Sequence, residues 1–250
     1  MKHLSRILKM EVAEGLPENE VHLWRVDLGD FLVREPSFEN SLQDILSADE
    51  KARASRFHFP RHRQFFAATR AMLRTILGNY VGSEPGSLVF DYGEKGKPRL
   101  RQNSSGKRIE FNVSHSGEVA LLAFAQKRIL GVDVEQIRDE RDHEGIARRF
   151  FSEYEQEQLA RLKPEERQHA FFRCWSRKEA FIKARGEGLS LPLRHFDVSV
   201  SPGDENALLA TRPDPQEANR WWLREVSAGS GYEGALCVEG RGWNLRLVVF

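Results

Sequence analysis

Two carboxylates stand two positions apart in the segment 131–135, which reads GVDVE. Side chains alternate along a β-strand, so Asp133 and Glu135 would share one face, with their Cα atoms about 6.6 Å apart. Carboxylates at that separation can reach one hard cation, and an oxygen-only site with few protein ligands suits Mg²⁺. The same alternation is typical of a half-buried strand with one solvated face, and this segment alone favours that plainer interpretation.

A second group of reactive residues lies on a predicted helix, in the segment 175–183, which reads WSRKEAFIK. Trp175, Glu179 and Lys183 are spaced by four and therefore share one side of the helix. A Glu followed four positions later by a Lys is commonly a surface pair that stabilises a helix by a few tenths of a kcal/mol. Gly186 ends this helix, so its last turn can also present Glu179 and Lys183 to a phosphate-bearing ligand.

The segment 111–117, FNVSHSG, reads as a strand that ends in polar residues and a turn. Hydroxyls, an imidazole and free backbone N–H groups at a turn can bind an anion. Ser114 and His115 could also form a nucleophile and its base, but adjacent residues on a strand point to opposite faces, which opposes that interpretation. A turn with one exposed histidine accounts for the segment equally well.

Cationic side chains gather in the first half of the chain. Arg63, Arg70 and Arg74 fall on one stripe of a predicted helix, and the planar guanidinium suits phosphate. Lys97 stands on a rigid Gly-Lys-Pro turn at 96–98. A solvated polar face explains most of these residues without any ligand.

Composition excludes several classes of protein. The chain has 250 residues, 40% hydrophobic and 30% charged, with a net charge of +1, which disfavours a nucleic-acid binder that works by bulk charge. Cys174 and Cys237 cannot form a disulfide framework or a cysteine zinc site, so a reducing, cytoplasmic location is expected. Charges interrupt Leu4, Ile7 and Leu8, so no signal-peptide core is predicted, and no segment is apolar enough to span a membrane.

The elements that must position these residues alternate between helices and strands. Ser47 with Glu50, and Ser152 with Glu155, form capping boxes that open short helices. Long helices are predicted at 61–80 and 165–185, and strands at 21–28, 110–113, 118–125, 129–135, 195–200, 221–226, 234–238 and 244–249. Each half holds helices followed by mostly antiparallel strands, which predicts an α+β fold of two lobes, 1–130 and 131–250.

Taken in order, FNVSHSG, GVDVE and WSRKEAFIKxxGxGL resemble the signature of the 4′-phosphopantetheinyl transferases, in particular the long, single-chain Sfp-type group. The Gly-Lys-Pro turn at 96–98 and the arginine patterns at 56–59 and 70–74 belong to the same resemblance. It runs from about residue 47 to residue 200, and beyond that the chain matches only as generic strands.

The resemblance implies an enzyme that moves the phosphopantetheine arm of coenzyme A onto a serine hydroxyl of an apo carrier protein, releasing adenosine 3′,5′-bisphosphate. Asp133, Glu135 and Glu179 would hold Mg²⁺, or Mn²⁺, against the pyrophosphate. Glu179 or a metal-bound water would take the serine proton, and Lys183 would neutralise the departing α-phosphate. The implied fold is two pseudo-symmetric lobes of helices packed on mostly antiparallel sheets, with the ligand cleft between them, in a monomer.

The resemblance also assigns the coenzyme site. Ser114 and His115 would bind phosphate oxygens, with His115 facing the 3′-phosphate. Lys97 and Pro98, with their flanking backbone, would line the nucleotide pocket, and Arg53 would add to the 3′-phosphate site.

One departure from the family pattern concerns the 3′-phosphate. Relatives often carry a lysine where this chain has Glu50, so Lys51 or Arg53 takes its place, or the arginine stripe contributes. Carrier helices are typically acidic and would dock near residues 150–193. The candidate contacts are Arg148, Arg149, Arg161 and Lys163.

Two other functions compete with transfer: a non-catalytic module that binds coenzyme A or carrier proteins, and a metal-dependent phosphohydrolase or nuclease. The near-neutral charge opposes a nuclease. The set of three candidate metal ligands is complete and Lys183 is present, which opposes a silent module because such a module would not require them. Neither alternative explains the ordered motifs, and nothing in the sequence selects one carrier protein over another.

Overall fold

Two β-sheets form the centre of the protein in the computed structural model, which describes residues 15–36, 38–101, 106–139 and 142–250. In chain order the elements are β1 (Glu20–Asp27), α1 (Leu28–Arg34), α2 (Phe38–Ile45), α3 (Ala48–Ser55), α4 (Pro60–Val81), β2 (Phe90–Tyr92), β3 (Pro98–Leu100), β4 (Ile109–Ser116), β5 (Val119–Gln126), β6 (Leu130–Gln136), α5 (His143–Phe150), α6 (Glu153–Arg161), α7 (Pro164–Arg185), β7 (Phe196–Val198), β8 (Leu208–Thr211), α8 (Glu217–Arg220), β9 (Trp221–Val226), β10 (Tyr232–Glu239) and β11 (Asn244–Val249). The segment with Leu4, Ile7 and Leu8, discussed above as a leader, lies outside the described residues. None of the described helices is long and apolar enough to cross a membrane.

The strands pair almost entirely in antiparallel fashion. One sheet has the order β11-β1-β5-β4, a second has the order β6-β10-β9, and the pairs β2-β3 and β7-β8 form two-stranded ribbons. Only β1 and β11 run parallel among the described pairs. The predicted α+β class with mostly antiparallel sheets is confirmed.

The last strand does not stay with the second half of the chain. The division at residue 130 grouped 244–249 with the second lobe, whereas the structure pairs β11 with β1, from Glu20 opposite Asn244 to Arg25 opposite Val249. An uncovered β1 would expose a row of unpaired N–H and C=O groups at the sheet edge, and β11 covers it. The C-terminus therefore returns to the first lobe.

Each lobe contains the same helical unit, which supports the expected pseudo-symmetry. The long helices α4 and α7 both have 22 residues and begin with a proline, Pro60 or Pro164, at a position where no N–H is needed. Both end at a glycine in the left-handed region, Gly82 with φ 66° and Gly186 with φ 72°. Each is preceded by a short helix that opens with a predicted capping box, and both capping boxes are confirmed.

The glutamate of each capping box is buried and bound by cations from the long helix. Glu50 accepts hydrogen bonds at 2.6 Å from the Nε atoms of Arg70 and Arg74, and Glu155 lies 2.7 Å from Lys178 Nζ. A buried carboxylate requires such partners. The interpretation of the arginine stripe is therefore corrected: Arg70 and Arg74 are neither a solvated face nor spare phosphate ligands, because Glu50 engages them.

The two sheets share a core. Alternate residues of β1, β5, β6 and β10 meet between the sheets, whereas the opposite face of the first sheet packs on α4. The fully buried members between the sheets include Leu23, Leu121, Val132 and Leu236. This shared core joins the two lobes over the strands that carry the candidate site residues.

Helix α7 lies directly on strand β6 at Gly131. A Cβ atom at this position would be 2.2 Å from the carbonyl oxygen of Ala180 and 2.3 Å from the amide nitrogen of Ala184. Both neighbours are backbone atoms, so neither can swing aside. Only glycine allows this approach of helix to strand.

We predict that Gly131→Ala destabilises the protein by about 1–3 kcal/mol or more, because an overpacked backbone contact must move apart. Gly93→Ala is the matched control, since its Cβ would meet nothing closer than Lys97 O at 3.7 Å. Urea unfolding followed by circular dichroism measures both. Equal midpoints for the two variants would show that the helix–strand approach is not constrained at Gly131.

Candidate functional site

A hydrogen-bonded cluster forms where β4, β6 and α7 meet. Lys183 Nζ, on α7, lies 2.5 Å from Asp133 Oδ1 on β6 and 2.9 Å from Ser114 Oγ on β4. The Ser114 hydroxyl donates to the same Asp133 oxygen at 2.9 Å. Three residues from three separate motifs are thus in direct contact, and Asp133 is only 3% exposed.

Polar side chains of β4 also hold β6 in register, although the two strands belong to different sheets. Asn112 Oδ1 accepts from the Val132 amide at 2.9 Å, and Ser116 Oγ lies 3.2 Å from Glu135 Oε2. Asp133 and Glu135 both contact β4, so the predicted shared face of these two carboxylates is confirmed. The alternate serines of FNVSHSG contact the alternate carboxylates of GVDVE.

Glu179 lies one helical turn before Lys183 and faces the same cluster. Its pKa is raised above the usual value by burial and by the negative charge of Asp133, and Lys183 opposes the shift. Burial also raises the pKa of Asp133, against the charge and hydrogen bond of Lys183. Both carboxyl groups are thus shifted toward their neutral form, although one ammonium is in contact with Asp133.

The donor atoms fit a hard divalent cation. Asp133 Oδ2 is buried and has no hydrogen-bond partner, which is costly for a carboxylate oxygen unless a cation or a donor reaches it. Its neighbours Glu135 and Glu179 offer further carboxylate oxygens, the ligands that Mg²⁺ prefers. Within the described ranges, no three acidic, histidine or cysteine side chains are drawn together as a metal cluster. The fit therefore rests on the chemistry of the donors and on the unpaired oxygen.

A basic corner adjoins the cluster. His115 is exposed at a cavity of about 400 Å³ that His62 also lines. Partial burial lowers the pKa of His115, and the charges of Lys183, His62 and Arg53 lower it further. Helices α3, α4 and α7 thus bring cationic groups to one imidazole. Arg53 and His115 were predicted to act together, whereas His62, which stands between Arg61 and Arg63 in the sequence, was given no role.

Lys97 makes contacts that its motif did not predict. Its ammonium donates to the carbonyl oxygens of Leu130 at 2.9 Å, Lys183 at 2.7 Å and Ala184 at 3.3 Å. Burial lowers the pKa of Lys97 to about 8. The charge is directed at backbone, so contact with a nucleotide would fall to the turn's backbone and to Pro98, which starts β3 opposite Tyr92.

Trp175 shares the helix face of Glu179 in the sequence pattern but belongs to the core. Its ring packs within about 6 Å of three phenylalanine rings, those of Phe150, Phe151 and Phe171. The tryptophan therefore packs α7 against α5.

Comparison with known proteins identifies the class. The model for the 4′-phosphopantetheinyl transferase superfamily matches residues 129–237, and the model for the N-terminal part of 4′-phosphopantetheinyl transferases matches residues 35–128. The chain belongs to this superfamily and is a phosphopantetheinyl transferase. The resemblance inferred from the order of the motifs is confirmed.

Particular relatives match over most of their length. The chain is 42% identical over 231 residues to the 4′-phosphopantetheinyl transferase HetI of Nostoc sp., covering 91% of each chain. It is 31% identical to a 4′-phosphopantetheinyl transferase of Bacillus subtilis, covering 80% of this chain and 84% of the relative. Identity to Sfp of Bacillus subtilis strain 168 is 27%, over 77% and 82% of the two chains.

We predict that Arg53→Met raises the pKa of His115 toward the ordinary 6.5, because one of the cations that disfavour its protonation is removed. An NMR titration of the histidine Cε1–H signals measures the change. Arg56→Met, which removes an exposed charge just beyond the end of the same helix, should leave the His115 pKa unchanged. An Arg53→Met protein with the wild-type pKa would remove Arg53 from the basic corner.

Proposed function

We propose that this transferase moves the 4′-phosphopantetheine arm of coenzyme A to a serine hydroxyl of an apo carrier protein in a reaction that depends on Mg²⁺. The family supports coenzyme A and a carrier protein as the two substrates. The observation that carries the proposal is the contact of Lys183 with Asp133 and Ser114, one turn from Glu179. Carboxylates and one ammonium at a single point suit a pyrophosphate with a bound cation.

Asp133, Glu135 and Glu179 would hold the cation. When bound, Mg²⁺ would neutralise negative charge on the pyrophosphate and so favour attack by an oxygen nucleophile. Asp133 Oδ2 is buried and has no hydrogen-bond partner, which supports this assignment.

Glu179 acts as the general base in this proposal. The serine oxygen attacks the β-phosphorus of coenzyme A, forming a new P–O bond, and the bond from that phosphorus to the bridging oxygen breaks. Adenosine 3′,5′-bisphosphate leaves, and the serine proton passes to the Glu179 carboxylate. Burial and the charge of Asp133 raise the pKa of Glu179 before the cation binds, and bound Mg²⁺ would offset this rise.

Lys183 stabilises the leaving group. Its ammonium has three N–H donors, and Asp133 and Ser114 engage two of them within the described part of the chain. The third can donate to an α-phosphate oxygen as negative charge develops there. Ser114 accepts a hydrogen bond from this ammonium and so fixes its direction. The contribution of Ser114 to phosphate binding is therefore indirect or shared with Lys183.

The basic corner would take the 3′-phosphate. Cations around His115 attract a dianion, and a bound dianion would in turn raise the lowered pKa of this imidazole. Arg53 and His62 would contribute charge without any need for Arg70 or Arg74. The acidic Glu50 is consistent with this arrangement, because its partners keep it out of the corner.

An acidic carrier helix would dock on α5 and α6. Arg148, Arg149, Arg161 and Lys163 are all exposed there. A groove of about 530 Å³ runs between these helices and α7, with apolar walls that include Leu159 and Phe171. Apolar walls bordered by arginine suit an amphipathic acidic helix.

We propose further that the enzyme works as a monomer in the cytoplasm.

Incubation with coenzyme A and Mg²⁺ should add roughly 340 Da, the mass of the phosphopantetheine arm, to an apo carrier protein, and EDTA should prevent the gain. Intact-mass spectrometry measures it on a panel of fatty-acid, polyketide and peptide-synthetase carriers. Asp133→Asn, which keeps the shape of the side chain but loses its charge, should lose transfer, and exposed Asp91→Asn should not. Coenzyme A binding with no gain on any carrier would indicate a silent binding module instead.

We predict that Arg148→Glu raises the KM for an acidic carrier and leaves the KM for coenzyme A unchanged, because only the carrier meets the reversed charge. The effect should shrink at high salt, which screens exposed charges. Arg224→Glu, an equal charge change at an exposed position of β9, is the control. Equal carrier KM values for the two variants would place the docking surface elsewhere.

A further inference from the structure

The side chain of Lys97 connects the first lobe to the end of α7, the helix that carries Glu179 and Lys183. It lies on the turn between β2 and β3, a ribbon of the first lobe, yet each of its three hydrogen-bond acceptors lies on β6 or α7. Its aliphatic stem passes Gly186, where an added Cβ would be 3.8 Å from Lys97 Cδ. The side chain therefore reaches over the glycine that ends α7 to contact the carbonyls of its last turn.

These carbonyls need a donor. The last four C=O groups of a helix have no partner within the helix and carry the negative end of its dipole. Lys183 O and Ala184 O belong to this set in α7, and an ammonium is the group that suits them best. Three carbonyls match the three N–H donors of Lys97, so none remains for a phosphate oxygen.

The residue that Lys97 holds by its backbone is the one that meets Asp133 by its side chain. Lys183 O accepts from Lys97 Nζ at 2.7 Å, while Lys183 Nζ lies 2.5 Å from Asp133 Oδ1. The third acceptor, Leu130 O, directly precedes Gly131, where α7 touches β6. One ammonium thus ties together the strand that carries Asp133 and the helix turn that carries Lys183.

We propose that Lys97 is a positioning residue for Lys183: its ammonium binds the end of α7 to the start of β6 and so keeps the Lys183 ammonium on Asp133. The inference rests on the proposed function in so far as it takes Lys183 to act on the leaving phosphate. It differs from the role that the Gly-Lys-Pro motif suggested, in which the lysine lines the nucleotide pocket.

The test combines steady-state kinetics with amine labelling. In Lys97→Met, kcat should fall about tenfold to a hundredfold, the cost of a displaced catalytic group, while the KM for coenzyme A stays near the wild-type value. Acetylation of lysines by an N-hydroxysuccinimide ester, followed by peptide mass spectrometry, should show Lys183 reacting severalfold faster, because it no longer sits fixed on Asp133. Lys95→Met, at an exposed position on the same turn, is the control and should change neither readout.

A raised KM with unchanged kcat would overturn the proposal, because Lys97 would then be a coenzyme ligand. A fall in kcat with unchanged labelling of Lys183 would overturn it too, since the catalytic lysine would not have moved. If Lys97→Met unfolds, Lys97→Gln, which keeps an N–H donor, is tested in its place with smaller effects expected in the same directions. The labelling needs no carrier, so it gives its result even if the proposed transfer activity is absent.

Discussion

The site depends on the close contact between α7 and β6 at Gly131, where no side chain lies between helix and strand. Strand β6 carries Asp133 and Glu135, and α7 carries Glu179 and Lys183, so their distance is set by how closely helix and strand approach. A side chain at Gly131 would collide with backbone of α7. Because Gly131 has no side chain, α7 can lie close enough to β6 for the Lys183 ammonium to contact the buried Asp133 carboxylate.

Buried charge organises both lobes, but only the second lobe has the Glu179–Lys183 pair on its long helix. An offset of 104 positions takes Pro60 to Pro164 and Gly82 to Gly186, and in each unit a capping-box glutamate is bound by cations of the long helix. The same offset places Thr75 and Asn79 where α7 has its glutamate and lysine. The first lobe thus keeps the scaffold without the reactive pair, and it contributes cations and a ribbon to the site.

The sequence predicts what short-range periodicity controls. Strand alternation placed Asp133 and Glu135 together, and the spacing of four brought Glu179 and Lys183 to one helix face. The partners of long-range contacts could not be predicted in this way. From the sequence alone, Arg74 is predicted to be a surface cation, whereas the structure pairs it with Glu50. Lys97 is predicted to be a free cation, whereas its ammonium donates to backbone carbonyls. Nothing in the sequence of β11 indicates that it pairs with β1. In each case the pattern specifies a local conformation, and the fold supplies the partner.

The carboxyl groups of the site outnumber its ammonium groups, and this imbalance of charge suits a cation bound together with the substrate. Two carboxyl groups with raised pKa values face one ammonium, and one oxygen of Asp133 has no partner. A divalent cation would lower both pKa values and, together with Lys183, would offset the negative charge of Asp133, Glu135 and Glu179. Without the cation, the excess of carboxylates over ammonium groups repels a pyrophosphate. Cation and coenzyme should therefore bind with positive cooperativity, because the cation removes the repulsion between the carboxylates and the phosphates.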